Sequence, residues 1–407
     1  MKRVNHPVHP LQPLHPLPPK NGRDVLSILS FLVGFVIVNF TISSAVRTFV
    51  LPRSAPDKLN AFLFRTWRRV FNLVLMRIER YETRDSIMAL YAPIALMTLT
   101  PVWLFLITIG YAFMFWALGA EGWLKALSLS GSSLLTLGVT PPEGLWQTLL
   151  TFFEAATGMI MVALLIAYLP TIYATFQWRE LLVTALATRA GEPPWGVTLL
   201  DRAYLVSRMG ALHELWVEWE SWFVDMEESH TSLGSTLFFR SQNPSRSWII
   251  AAGAILDAAA LYRAAVDLDP DPAADLMIRA GYLALRSIAK PFGFKIIDDP
   301  RFPDQPISVT RAEFDAACDQ LRASGVPLKL DAQQSWLDYA GWRVNYDQTL
   351  LDLCDLIMAP EAPWSSDRSS GRWHLSPRFA TPNRVRDPDL IYRAKKEAEL
   401  PNVERHE

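Results

Sequence analysis

The chain has 407 residues, 50% of them hydrophobic, and a formal net charge of −2 at pH 7. This length accommodates a membrane part and one or two further domains, whereas so neutral a balance does not favour nucleic-acid binding. Both cysteines, Cys318 and Cys354, lie far downstream of the apolar segments, which argues against a disulfide framework and against a cysteine-based metal site.

The N-terminal residues 1–24 are rich in Pro and His and have no helical period, which predicts a disordered tail. An uncharged apolar segment follows over 25–46. It is long enough to cross a hydrocarbon core of about 30 Å. We therefore predict a first transmembrane helix over 25–50, with a helix that lies on the membrane surface as the alternative.

Basic residues dominate the next segment, 51–85. They are Arg53, Lys58, Arg65, Arg68, Arg69, Arg77, Arg80 and Arg84. Apolar residues recur between them at roughly helical spacing, which predicts an amphipathic basic helix on an anionic membrane surface. The positive-inside rule places this segment in the cytoplasm. The arginines do not recur at every third position of an apolar helix, as those of a voltage sensor do, so we favour the surface helix over voltage sensing.

A second uncharged segment, 86–120, contains Pro93 and Pro101 and predicts a second span that is long or kinked. The segment 122–135 that follows is too short to cross a membrane and predicts a half-helix that enters from outside. The C-terminal end of such a helix carries partial negative charge, which would favour a cation near the centre of the membrane.

The sequence SLSGSSLLTLGVTPPEG, at 128–144, places small and hydroxylated residues, a Gly and a Pro-Pro pair between two apolar segments. Irregular backbone survives at membrane depth only where it is buried in protein or lines a water-filled path. A loop over 122–140 that enters the membrane and returns therefore predicts a pore. A Ser-rich turn between two membrane helices is the alternative.

Thr136, Leu137 and Gly138 resemble the T-V-G of the potassium-channel pore signature T-V-G-Y-G, in which carbonyl oxygens replace the hydration shell of the ion. Val139 and Thr140 stand where that signature has Y-G, so the resemblance implies the fold and the pore rather than strict potassium selectivity. It implies an ion filter made of Thr136, Leu137, Gly138 and Val139. In that superfamily four loops surround one conduction path, which implies a homotetramer that conducts monovalent cations.

A third apolar span, 145–178, contains a single charged residue, Glu154. An ionisable residue inside a membrane segment is costly unless it is paired or faces a cavity. Because Glu154 falls on the outer third of the span, we predict that it supports the filter and accepts hydrogen bonds from hydroxyls such as Ser132 and Ser133. The alternative is a solvated carboxylate near the lipid headgroups.

Two residues mark places where the third span can bend, Gly158 and Pro170. In the family that the chain resembles, the last span lines the conduction path and its inner end is the gate. The resemblance therefore implies that these two residues are candidate gating points. Helix, re-entrant loop and helix together form a predicted pore domain over 86–178.

Residues 179–358 alternate amphipathic stretches with loops that contain Pro and Gly, which predicts a soluble, cytoplasmic α-helical domain. The stretch 248–262 is apolar but short and carries Asp257 in its middle, so we predict a core helix rather than a span. Residues 359–407 are polar and predict a partly disordered tail. The segments ESH (228–230), FFRS (238–241) and SWIIAAGAILDAAAL (247–261) resemble the helical C-terminal region of uncharacterised bacterial pore-loop potassium channels.

Glu227 and His230 are spaced to share one helix face, as in di-iron carboxylate bundles. Such bundles need a second Glu-x-x-His pair, and the sequence has none. We therefore favour a solvated acidic face, with Trp216, Trp219 and Trp222 packed inward, over a metal-dependent hydrolase centred on Glu227 and His230.

The sequence thus predicts an all-α membrane protein with transmembrane helices, a re-entrant pore helix with its filter loop, and a soluble α-helical C-terminal domain. The predicted function is that of the pore-forming subunit of a homotetrameric cation channel in a bacterial inner membrane. Membrane lipid and monovalent cations are its expected partners, and we expect no cofactor, metal site or enzymatic activity. The alternative is a non-conducting, membrane-anchored scaffold or receptor whose helical domain binds partner proteins.

Overall fold

The computed structural model describes residues 20–49, 57–78 and 80–368. Within these ranges the chain is mostly helical, and its β pairing is limited to an isolated antiparallel bridge between Val266 and Leu328. The predicted all-helical class is confirmed for this part of the chain. Most of the predicted N-terminal tail, 1–19, and of the C-terminal tail, 369–407, lies outside the described residues.

The helices fall into an N-terminal and a C-terminal series. The first series is α1 (Lys20–Phe49), α2 (Lys58–Leu75), α3 (Tyr81–Ala89), α4 (Tyr91–Ala117), α5 (Trp123–Leu134) and α6 (Gly144–Ala190). The second is α7 (Gly196–Leu205), α8 (Leu212–Ser232), α9 (Trp248–Ala265), α10 (Pro272–Ala289), α11 (Arg311–Ala323), α12 (Ala332–Arg343) and α13 (Asp347–Ile357). Short 3₁₀ turns lie at Met209–Ala211, Gly234–Phe238, Lys290–Phe292 and Ser366–Arg368.

The chain divides into two compact units. The first combines Met1–Val46 with Thr100–Leu165, and the second combines Arg47–Leu99 with Ile166–Glu407. The helices α4 and α6 each begin in one unit and end in the other. The C-terminal series of helices therefore belongs to the same unit as α2, α3 and the last part of α6.

Four described segments are long and apolar enough to cross a membrane: Asp24–Thr48, Tyr81–Ala117, Gly144–Ala190 and Trp248–Ala265. They indicate a membrane protein. Only 17% of the most apolar 18-residue stretch of α6 is buried. Most of the hydrophobic surface of this helix is therefore left for lipid or for another chain. The fourth segment, α9, is 89% buried inside its own unit, which is the environment of a core helix rather than that of a lipid-facing span.

Glycines bring α1 and α4 close together in the first unit. A Cβ on Gly34 would lie 2.3 Å from the carbonyl oxygen of Gly110, a distance that no side chain tolerates. Nearby, the Ser30 hydroxyl donates a hydrogen bond to the carbonyl oxygen of Phe113 at 2.9 Å. Small residues at the contact and a hydrogen bond between the helices are typical of helix packing in membranes.

The core of the second unit is built around α9, whose residues are nearly all buried. A Cβ on Gly196 of α7 would lie 2.7 Å from the amide nitrogen of Ala258, so glycine permits this close contact. The buried Asp257 accepts hydrogen bonds from Arg343 at 2.6 and 2.7 Å. Arg343 also donates to Asp347 at 2.6 Å, so one guanidinium serves two buried carboxyl groups.

Candidate functional site

The short helix α5 follows α4 and packs with one face on its neighbours in the first unit. Its buried residues are Ala126, Leu129, Ser130, Ser132, Ser133 and Leu134. α5 packs tightly on α6 at Gly158, where a Cβ would lie 2.3 Å from the carbonyl oxygen of Leu134. This contact fixes the C-terminal end of α5, where the helix dipole places partial negative charge.

Glu154 of α6 is fully buried, with 0% of its surface exposed. The Ser130 hydroxyl donates a hydrogen bond to its Oε1 atom at 2.5 Å, and the same hydroxyl lies 2.9 Å from the carbonyl oxygen of Thr108. No described residue makes a hydrogen bond to the second carboxyl oxygen, Oε2. Glu154 therefore joins α6 to α5 through one serine hydroxyl.

The predicted hydrogen bonds from Ser132 and Ser133 to Glu154 are not formed. The Ser133 hydroxyl donates instead to the carbonyl oxygen of Leu129, within α5, at 2.8 Å. Sequence reasoning missed Ser130 because α5 carries several serines, and the rotation of the helix about its axis decides which of them faces α6. The one available signal was that Glu154, being ionisable in an apolar span, needed a hydroxyl partner.

Ser132 is the centre of the loop 135–143 that follows α5. Its backbone oxygen accepts a hydrogen bond from the N–H of Leu137 at 2.8 Å. Its hydroxyl oxygen accepts from the N–H groups of Val139 at 2.9 Å and Thr140 at 3.2 Å. Three N–H groups of the loop are thus bonded to one residue of α5, and Ser132 contacts the loop rather than Glu154.

The carbonyl oxygens of the same loop are in a different situation. Within the described residues, no donor makes a hydrogen bond to the backbone oxygens of Thr136, Leu137, Gly138 and Val139. The Leu137 and Val139 side chains are 63% and 75% exposed in the single chain. In the single chain these oxygens are open to water, to a cation or to a donor of another chain. The loop therefore carries a run of available oxygen ligands.

Positive φ angles occur at alternate residues of this run, +54° at Thr136 and +66° at Gly138. Glycine adopts such angles freely, but a β-branched residue there is uncommon. A non-glycine residue held in this region costs about 1–3 kcal/mol. The strain at Thr136 is sustained by the surrounding bonds, and it is located at the residue that the sequence predicts to begin the filter.

A second set of polar contacts closes the loop at the beginning of α6. The Glu143 N–H donates to the Gln147 Oε1 atom at 2.8 Å, and the Gln147 side chain donates to the carbonyl oxygen of Leu118 at 3.2 Å. The Glu143 carboxylate pairs with Lys125 of α5 at 2.7 Å. Gln147 is buried, and sequence reasoning did not single it out, although it is a polar residue in the first turn of an apolar span.

The two predicted bending points lie inside a helix that has no break. α6 continues through Gly158 and Pro170 to Ala190, beyond the predicted end of the span at 178. Gly158 has a packing role against Leu134. Pro170 has no N–H, so the helix lacks one hydrogen bond at that turn, and it remains a candidate position for bending.

Arg179 lies near the end of α6, in the second unit, and is buried. Its guanidinium donates to the carbonyl oxygens of Thr236 at 2.9 Å and Phe239 at 2.7 Å, and it pairs with Glu180 at 2.9 Å. We call residues 234–241 the linker segment. The bonds from Arg179 attach the end of α6 to this segment.

The linker segment also contacts the region before α4. Arg240 pairs with Asp85 of α3 and donates to the carbonyl oxygen of Ile357, at the end of α13. The rings of Phe238 and Tyr91, the first residue of α4, lie 5.3 Å apart at an interplanar angle of 87°. The linker segment thus contacts four helices within the second unit. It makes an ion pair with α3, a ring contact with α4, and hydrogen bonds with α6 and α13.

Glu227 and His230 have separate partners. Glu227 accepts a hydrogen bond from the Ser287 hydroxyl at 2.6 Å, whereas His230 is buried, with its Nε2 atom 3.5 Å from Arg179. Burial and the nearby Arg179 charge hold the pKa of His230 well below its usual value. Among the described residues no group of three His, Cys, Asp or Glu side chains that could hold a metal ion is found.

The chain matches no protein-family model, no curated protein and no solved structure. Of the residues that the sequence indicated, the structure brings Ser132, Leu137 and Val139 together in one hydrogen-bonded loop. It adds Ser130 and Gln147, which the sequence analysis did not name.

Proposed function

We propose that the chain is the pore-forming subunit of a homotetrameric cation channel of a bacterial inner membrane, with residues 136–139 as its ion filter. The observation that carries this proposal is the asymmetry of the loop. The N–H groups of Leu137, Val139 and Thr140 are bonded to Ser132, whereas the carbonyl oxygens of 136–139 have no donor within the described residues. Such oxygens are the ligands that replace water around a cation in a channel filter.

The helix before the loop fits the role of a re-entrant pore helix. α5 has 12 residues, and a transmembrane helix needs about 20. It lies in sequence between α4 and α6, both of which are long enough to span. With its C-terminal end directed at the filter, the partial negative charge of the helix would favour a cation there. The Thr136 hydroxyl oxygen would add a further ligand at the inner end.

One loop supplies only one side of a conduction path, so several copies must surround it, and closed rotational symmetry is the usual solution. Hydrophobic side chains around the filter support such an assembly. Those exposed in the single chain include Leu135, Leu137, Val139, Leu145 and Trp146. A cluster of exposed apolar side chains of this kind marks a contact with lipid or with another chain.

The C-terminal helices, which we propose to be soluble and cytoplasmic, would control the inner end of α6 through the linker segment. Arg179 bonds α6 to that segment, and Arg240 bonds the segment to Asp85 and to the end of α13. A movement of the C-terminal helices would therefore be transmitted to α6. Pro170, which lies between this attachment and the filter, is the position where α6 would bend.

Cation flux from liposomes tests the proposal. We expect the purified protein to release a monovalent cation, and Gly138→Trp to abolish the release because the bulky side chain disrupts the filter. Gly119→Trp is the matched control. Gly119 also has a positive φ, +94°, with nothing within 4 Å of a Cβ, but it lies outside the loop. Equal flux from the wild-type protein and Gly138→Trp would refute the proposed filter.

The oligomeric state separates the channel from the alternative. A tetramer in mild detergent together with flux is the expected result. A monomer without flux would favour the membrane-anchored scaffold, in which the loop is a closed plug and the C-terminal helices bind partner proteins.

A further inference from the structure

The basic helix α2 has an inner face that packs within the second unit. Its buried and partly buried residues are Phe64, Trp67, Phe71 and Leu75, which pack with Met88, Tyr91 and Met358. The Trp67 indole N–H donates to the Thr98 hydroxyl at 2.8 Å, and the Tyr91 hydroxyl donates to the carbonyl oxygen of Phe64 at 3.1 Å. α2 therefore lies along the first turns of α4, where an apolar span begins.

One arginine belongs to this inner face. The Arg68 guanidinium donates to the carbonyl oxygen of Leu356 at 2.9 Å and lies over the ring of Tyr91, 5.7 Å from its centroid. Arg68 thus has a structural partner and is not available to a ligand on the outer side of the helix.

The outer face of α2 combines exposed apolar and basic side chains. Its exposed apolar residues are Phe62, Val70, Leu73 and Val74, and Met76 continues them just beyond the helix. Lys58, Arg69 and Arg77 are exposed, and no salt bridge involves them within the described residues. The sequence of α2 contains no acidic residue, so this face is positive as well as apolar.

We propose that the outer face of α2 binds anionic phospholipid of the cytoplasmic leaflet. Lys58, Arg69 and Arg77 would contact the headgroups, and the apolar side chains between them would enter the acyl boundary, as in amphipathic helices that lie in the membrane interface. Charge complementarity favours an anionic lipid. α2 packs beside the first turns of α4, where an apolar span begins, which would bring its outer face close to lipid.

A second copy of the chain is a poorer occupant of this face. In a two-fold symmetric contact the same patch meets itself, so the bases of one copy would face those of the other with no acidic residue of α2 to compensate them. An anionic lipid has no such penalty. Lipid binding by α2 requires membrane insertion but not ion conduction. It can therefore be tested independently of the proposed filter.

Lipid affinity of the full-length protein tests the headgroup contacts. The protein in mild detergent is titrated with phosphatidylglycerol and, separately, with phosphatidylcholine, and bound lipid is counted by native mass spectrometry. A base at an anionic surface contributes about fivefold to affinity. We therefore expect the double variant Arg69→Gln/Arg77→Gln to lower the preference for phosphatidylglycerol by about 25-fold, and Arg69→Lys/Arg77→Lys to retain it.

The matched control is Arg279→Gln/Lys295→Gln, which removes the same charge from two exposed residues elsewhere in the second unit. It should retain the wild-type preference. The proposal is overturned if the wild-type protein shows no preference for phosphatidylglycerol, if Arg69→Gln/Arg77→Gln retains it, or if the control loses it equally.

Fluorescence quenching tests the apolar contact independently. A fluorophore on Leu73→Cys, in nanodiscs, should be quenched by brominated phosphatidylglycerol, and less by brominated phosphatidylcholine at the same mole fraction. A fluorophore on Leu276→Cys, at an exposed position of α10, should be quenched by neither. Both native cysteines are buried, which keeps the labelling specific. Absence of quenching at 73, or disulfide crosslinks at 73 between two copies, would overturn the proposal.

Discussion

Gly158 of α6 lies directly against the carbonyl oxygen of Leu134, the last residue of α5, and a Cβ at 158 would come within 2.3 Å of that oxygen. The substitution Gly158→Ala must therefore push α5 away from α6. Overpacking of this kind costs about 1–3 kcal/mol. We expect a lower thermal unfolding midpoint in detergent, together with reduced cation flux, because the end of α5 positions the loop.

The control for this experiment is Gly131→Ala. Gly131 lies in α5, and nothing is found within 4 Å of a Cβ built on it. Alanine there should leave both the unfolding midpoint and the flux close to wild type. If Gly158→Ala behaves in the same way as Gly131→Ala, the close contact between α5 and α6 is not present in the protein.

The hydrogen bond between Ser130 and Glu154 can be measured with a double-mutant cycle. We expect Ser130→Ala and Glu154→Ala to be non-additive, with a coupling of about 1–3 kcal/mol, because each variant removes the same bond. The cycle of Ser133→Ala with Glu154→Ala should be nearly additive, since the Ser133 hydroxyl bonds to Leu129. A larger coupling for Ser133 than for Ser130 would contradict the structure and favour the sequence-based prediction. Thermal unfolding in detergent gives the four free energies of each cycle.

The serines of α5 show which features could be predicted from the sequence and which could not. Hydropathy predicted long apolar helices, and Gly138 with the Pro-Pro pair predicted the loop between them. Both features are local, since they depend on composition and on turn residues. The choice between Ser130, Ser132 and Ser133 is not local. It depends on the rotation of α5 against α6, which the contact at Gly158 determines and no periodicity reveals.

The same limit applies to α2. Its basic and amphipathic character is visible in the sequence, and the helix extends over Lys58–Leu75 within the predicted segment. The sequence does not reveal that Arg68 points inward, because its partner, the carbonyl oxygen of Leu356, is 288 residues away. In α9, by contrast, Asp257 correctly indicated a buried helix: a charge in an apolar run requires a partner, and Arg343 is that partner.

Breaking this ion pair should destabilise the second unit. Arg343 and Asp257 are both buried, and Arg343→Met would leave the carboxylate without its cation. Removal of one partner of a buried pair costs about 3–5 kcal/mol. We expect the unfolding midpoint of the second unit to fall accordingly, as measured by near-UV circular dichroism. Arg322→Met, which breaks an exposed pair with Asp319, is the control and should change little. Equal midpoints for the two variants would show that the cluster is solvated.

His230 gives the second unit a stability that depends on pH. Burial and the Arg179 charge hold the pKa of His230 well below its usual value, whereas in the unfolded chain it titrates near pH 6.5. Below about pH 6.5 the unfolded chain therefore binds a proton that the folded chain does not, and stability falls by up to about 1.4 kcal/mol per pH unit. We expect the difference between the unfolding midpoints at pH 7.5 and pH 5.5 to be smaller for His230→Gln than for wild type. An unchanged difference in His230→Gln would mean that His230 is accessible to protons in the folded state.

Thr136 separates the stability of the loop from its function. With a φ of +54°, it holds a strained conformation that glycine adopts freely, so Thr136→Gly should stabilise the loop by about 1 kcal/mol. The same variant removes the hydroxyl oxygen that we assign to cation coordination, so discrimination between potassium and sodium in liposome flux should decrease.

Thr140→Gly is the contrasting variant. Thr140 has no positive φ, and its hydroxyl lies 2.8 Å from that of Ser128. Glycine at 140 should therefore destabilise the loop. If Thr136→Gly raises the unfolding midpoint and leaves the ion preference unchanged, Thr136 shapes the loop without contacting the ion.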